Sequence, residues 1–99
     1  MNAADAELNE AYKDLLDAIG DKENWRNIEF LQAKFRAQVI SSERAWVKYK
    51  IEECGLQYMR DTNGLMAPID GLACSLKMTQ DRTAELKKIT DEINSVGDS

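Results

Sequence analysis

The chain has 99 residues, 43% of them apolar, with 13 basic against 18 acidic residues, a net charge of −5 and no histidine. That length supports one domain spanning 1–99 with one core and little burial to spare. The missing Lys/Arg stripe argues against nucleic acid, and no apolar stretch approaches the roughly 20 residues needed to cross a bilayer.

Catalysis and metal binding are disfavoured on the same evidence. Two cysteines stand in no CxxC or zinc-like spacing, and without histidine the common Cys/His metal sites are out of reach. No Gly-rich phosphate loop or GxSxG elbow is present, so neither an enzyme nor a cofactor is implied. The opening MNAADAELNE is polar and acidic rather than signal-like. An exported protein would have lost its leader, so compartment has to be read from the cysteines.

From the N-terminus, the first predicted helix covers about Ala3 to Ile19, with Leu8, Ala11, Tyr12, Leu15, Leu16 and Ile19 on one face. Gly20 fits a helix stop, and Asp21 or Asn24 a new cap. Trp25, near that start, reads as a hydrophobic staple or end cap.

The second segment is long, about Lys22 to Met59. Ile28, Leu31, Phe35, Val39, Trp46 and Tyr49 alternate in steps of three and four like a heptad seam. Ser41 and Ser42 interrupt the stripe and are placed to bend the helix, because their hydroxyls compete for backbone carbonyls. Trp46 and Tyr49 read as core packing with a polar edge, the alternative being a ligand-stacking platform. Glu52 and Glu53 are adjacent, point to different faces and read as solvated.

A loop of about ten residues, Arg60 to Ile69, carries the turn chemistry of Asp61, Thr62, Asn63, Gly64 and Pro68. The third helix begins between Pro68 and Leu72. Its apolar positions are Leu72, Leu76, Leu86, Ile89 and Ile93, with Thr79 and Thr83 making the middle of that face less apolar. The tail from Gly97 to Ser99 is expected to fray. No strand-like alternation is long enough to matter, so the expected fold is all-α, a small antiparallel bundle of three segments.

Charge divides unevenly: residues 1–23 hold seven acids and two bases, 24–60 four and seven, 61–99 seven and four. A cationic middle segment between anionic neighbours suits a bundle in which it touches both; solvated faces explain the pattern equally well.

Cys54 falls near the end of the second helix and Cys74 in the first turns of the third, and antiparallel helices bring those positions together. Two buried free thiols are the alternative. A bridge closing about 21 residues would stabilise the fold by roughly 3 kcal/mol on the loop-entropy estimate. It would also pin a short loop presenting Leu65, Met66 and Ile69 beside Arg60, Asp61 and Asp70. Those apolar residues serve either as a partner contact or as the cap on the end of the core.

Three stretches, ADAELNEAYKDLL (Ala4 to Leu16), SERAWVKYKIEEC (Ser42 to Cys54) and GLMAPIDGLACSLKMTQDRTAEL (Gly64 to Leu86), together resemble the LprI-like lysozyme-inhibitor family of secreted bacterial domains. The motif positions are Leu8, Asn9 and Tyr12, then Arg44, Trp46 and Tyr49 with Cys54, then Cys74 with Arg82 and Leu86; apart from the cysteines they read as structural.

The resemblance implies a helical, exported envelope or periplasmic domain with Cys54 bridged to Cys74. Its implied partner is a protein, lysozyme in the members that give the family its name. An interaction or structural module, such as a toxin-neutralising partner, is the alternative. Lys50 and Ile51 depart from the Arg-Asp often found there, and an upstream cysteine-containing stretch of many members has no counterpart here. The expected contacts are Arg60 toward a carboxylate, with Leu65 and Met66 as apolar anchors and Asp61 and Ile69 alongside. A thiol count under denaturing conditions, on protein prepared in an oxidising medium, is expected to find no free thiol; two would rule out the bridge.

Overall fold

The computed structural model describes residues 3–20, 29–60 and 67–96, and each stretch is one helix: α1 (Ala3–Gly20), α2 (Glu29–Arg60) and α3 (Ala67–Val96). All three expected segments are present, and Gly20 is the last residue of α1. Trp25, Ile28 and the caps at Asp21 and Asn24 lie outside the described residues, as do Asp61, Leu65, Met66 and the tail from Gly97. α2 is continuous through Ser41 and Ser42 and past Gly55 to Arg60. α3 starts at Ala67, so Arg60 and Ile69 are helical rather than part of a ten-residue loop.

α2 and α3 form an antiparallel hairpin tied by the disulfide between Cys54 and Cys74, whose Cα atoms are 5.6 Å apart. The end of α1 meets the start of α2, where the Gln32 side-chain amide donates to the Ile19 carbonyl. α1 therefore runs back along the hairpin parallel to α3. It packs along α3 and only lightly against α2, so α3, rather than the middle helix, carries most of the packing.

The core follows from the periodicity of α1. Leu8, Ala11, Leu15 and Ile19 are buried and meet Val39 of α2 and Leu86 of α3, with Tyr12, Leu16, Phe35, Trp46, Ile89 and Ile93 packed around them. Thr79 and Thr83, at the two ends of one helical turn on the α1-facing side of α3, are buried too. Thr83 returns its hydroxyl to the Thr79 carbonyl at 2.9 Å, the usual way a threonine is satisfied inside a helix. Thr79 Oγ1 is buried and has no hydrogen-bond partner among the described residues.

Helix lengths decide the shape. At about 1.5 Å per residue α1 is about 27 Å long, whereas α2 and α3 are about 48 and 45 Å. The molecule measures 57 × 22 × 21 Å with a radius of gyration of 16.8 Å, against about 13 Å for a compact chain of this size. One half is a three-helix bundle. The other is a two-helix arm made of the end of α2 and the start of α3.

This mismatch corrects part of the expected core. Leu72 and Leu76 are 73% and 43% exposed, Tyr49 57% and Leu31 41%, although all four continue apolar stripes. The stripes are helical as expected, but no third helix reaches the arm to cover Leu72 and Leu76, and Tyr49 lies on the opposite face of the arm. Leu15→Ala should therefore cost about 2–5 kcal/mol in urea unfolding, whereas Leu72→Ala at low protein concentration should stay within about 0.5 kcal/mol.

Candidate functional site

Where the bundle gives way to the arm, a buried ionic cluster holds α2 and α3 in register. Arg82 is only 8% exposed. Its Nε donates to Glu43 Oε1 at 2.9 Å, its Nη1 to Glu85 Oε1 at 2.7 Å and its Nη2 to Ser42 Oγ at 3.1 Å. Its guanidinium lies 5.9 Å from the centre of the Trp46 ring, and Lys50 Nζ lies 5.1 Å from the same centre. Most of the guanidinium's donors are thus used, the condition under which a buried charge is tolerated.

The motif residues Trp46 and Arg82 meet here, and Leu8 and Leu86 meet in the adjoining core. Asn9 and Arg44 are exposed. Glu43 went unnoticed in the sequence, yet a signal for it existed. With Cys54 opposite Cys74, eleven residues back along α2 reaches Glu43, and eleven forward along α3 reaches Glu85, one turn from Arg82. The pair also reverses the segment charges, since the acid sits on the cationic helix and the base on an anionic one.

Beyond this cluster the arm has two faces. One is an open groove of about 580 Å³ lined by Tyr49, Glu53, Gln57 and Arg60 of α2 and by Ala73, Cys74, Lys77, Met78 and Asp81 of α3. Cys74 of the half-buried disulfide lies on its floor, and Cys54 Sγ behind it is 3.7 Å from Met78 Sδ. Lys77 and Asp81 form a 3.0 Å ion pair on one wall, both exposed. Glu53 turns into the groove and is half-buried while Glu52 stays exposed, so the two acids do take different faces.

Of the expected partner contacts, the structure places Arg60 in this groove, at the last residue of α2. Ile69 falls in the first turn of α3, and Asp61, Leu65 and Met66 belong to the undescribed 61–66 connection. Tyr49 lines the groove instead of packing in the core. Heptad spacing could not reveal that, because the spacing is the same whether or not a third helix covers it. The other face of the arm is apolar: Ile51 and Tyr58 of α2 and Leu72 and Leu76 of α3 are 64%, 45%, 73% and 43% exposed.

Comparison with known proteins agrees with the family resemblance. The family described as lysozyme inhibitor LprI matches residues 1–86. An uncharacterized protein of Rhizobium meliloti (strain 1021) is 34% identical over 91 residues, covering 90% of this chain and 65% of the relative, so the chain spans a little under two thirds of that protein's length. No solved structure matches the chain.

Arg82→Ala should destabilise the fold by about 3 kcal/mol in chemical denaturation, because it leaves the Glu43 carboxylate largely buried without its partner. Glu85→Gln, on the exposed side of the cluster, should cost less than about 1 kcal/mol.

Proposed function

Because the chain belongs to the lysozyme inhibitor LprI family, we propose that it is a secreted or periplasmic bacterial protein that inhibits a lysozyme by seating the stapled end of its α2–α3 hairpin over the substrate cleft. The observation that carries this reading is the arm itself, a two-helix end that projects past α1 and is closed by a disulfide on the floor of its groove.

The physical case has three parts. A cleft inhibitor must fill a trench holding two catalytic carboxylates, and a pre-stiffened hairpin loses little conformational entropy on entering it. Arg60, at the tip end of the groove, brings a guanidinium suited to bidentate pairing with a carboxylate. Charge supplies the approach. α1 holds Asp5, Glu7, Glu10, Asp14 and Asp17 against Lys13 alone, so most of the net charge of −5 sits on the bundle half and attracts a cationic enzyme over a longer range than the arm's own contacts.

The test is a cell-wall lysis assay against several lysozyme types, with oxidised and reduced protein side by side. Oxidised protein is expected to slow lysis at stoichiometric ratios. Arg60→Glu should weaken this at least ten-fold and added salt should slow association, while Leu72→Asp on the opposite face should leave it unchanged. Absence of inhibition of every type at micromolar protein would sink the proposal.

A further inference from the structure

The apolar face of the arm, opposite the groove, fits a second copy of this chain. On α3, Leu72 and Leu76 lie seven residues before Thr79 and Thr83, which are buried on the α1-facing side. They therefore continue, uncovered, the stripe that receives α1 further along. On α2, Ile51, Gly55 and Tyr58 are spaced four and three apart, which puts them on one helical face, and none of them lines the groove. A shallow hollow of about 440 Å³ surrounds Gly55, bordered by Ile51, Leu56, Tyr58 and Met59 with Glu52 as its one charged neighbour.

Two further features mark this face as a contact. The stretches Cys54–Met59 and Gly71–Leu76 contain no charged residue, in a chain of which 31% is charged; charge depletion around exposed apolar side chains is the compositional signature of an interface centre. Gly55 stands in the interior of α2, where glycine is a poor choice. A side chain there would meet nothing within 4 Å in its own molecule. The missing side chain leaves room for another helix to come close.

We propose that two copies pair through this face as an isologous, antiparallel dimer whose arms form a four-helix bundle. The direction follows from the step that α1 makes. α1 adds a layer about 10 Å thick over the far half of the α2–α3 hairpin, so parallel pairing would set one α1 against the other and hold the arms apart. Antiparallel pairing places each arm in the space beyond the start of the other copy's α1.

The bridge puts Gly55 and the midpoint of Leu72 and Leu76 at one level along the arm. A two-fold axis at that level crosses α2 over its copy at Gly55 and lays the leucines of the two α3 helices against each other. The contact is symmetric where charge is lowest, and it sends the two acidic α1 helices to opposite ends. The arm face is about 18 Å long by about 20 Å wide, a footprint of about 360 Å² per copy. That is about 720 Å² for the pair, below the roughly 1,000 Å² of a stable interface, so the pair is a weak, concentration-dependent one. Both grooves face outward and stay open.

Sedimentation velocity of the oxidised chain from 1 to 300 µM, with small-angle scattering at the upper end, tests this. The expected result is a monomer–dimer equilibrium with a Kd of tens of micromolar. The dimer should be about 95 Å long, twice the 57 Å of one copy less the roughly 18 Å of shared arm. Leu72→Asp with Leu76→Asp, and separately Gly55→Arg, should each raise the Kd at least 30-fold with helical circular dichroism and the disulfide intact. Leu31→Asp, exposed at the other end of the hairpin, should leave it unchanged.

A monomer throughout the range overturns the proposal, as does dimerisation that survives both variants or a dimer no longer than one copy. If the chain is monomeric and the leucine variant instead relieves lysozyme inhibition, the face belongs to the target protein and the dimer is wrong. Inhibition with no dimer, or a dimer with no inhibition, separates this inference from the functional proposal.

Discussion

The register of the α2–α3 hairpin is the constraint on which the other features of this structure rest. It is held at two levels, by the bridge between Cys54 and Cys74 and, three turns further into the bundle, by Arg82 with Glu43. A two-helix hairpin buries too little apolar surface to specify its own alignment in water, and only part of it is covered by a third helix. A covalent tie on the uncovered half and a nearly buried guanidinium at the junction supply what the core does not. The covalent tie restricts the unfolded chain; the ion cluster acts through specificity, because sliding either helix by one turn would strand a charge out of water.

From that register follows a division of labour along the molecule. The bundle half, with Leu15, Ile19 and Leu86 fully buried, carries most of the hydrophobic stabilisation. The arm buries little and exposes two unlike faces, a mixed-charge groove over the disulfide and a largely apolar surface around Gly55 with Glu52 at its edge. A protein that recognises another macromolecule needs surface that is not consumed by its own folding, and the short α1 leaves such surface free. Because the arm is stapled, exposing it does not require the hairpin to splay.

The motif residues acquire distinct physical roles in this arrangement. Trp46 is half-buried at the point where α1, α2 and α3 meet and receives Lys50 and Arg82 near its ring. Arg82 ties that tryptophan to Glu43 and Ser42. Tyr49, one turn on from Trp46, has crossed into the arm and stands in the groove. Residues three apart on one helix thus serve different ends, one beside the ionic cluster and the other on the groove wall.

What the sequence determined by itself was local and periodic. The helix spans, the stop at Gly20, the apolar face of α1 and the pairing of two cysteines across an interhelical turn all follow from spacing and turn chemistry, which act over a few residues. Tertiary structure alone decided which stripes are covered. Leu72 and Leu86 occupy equivalent heptad positions on α3, yet one is 73% exposed and the other 1%, because α1 is about 27 Å long and α3 about 45 Å. Periodicity tells which side of a helix is apolar; the length and direction of a neighbouring helix tell how much of that side is buried.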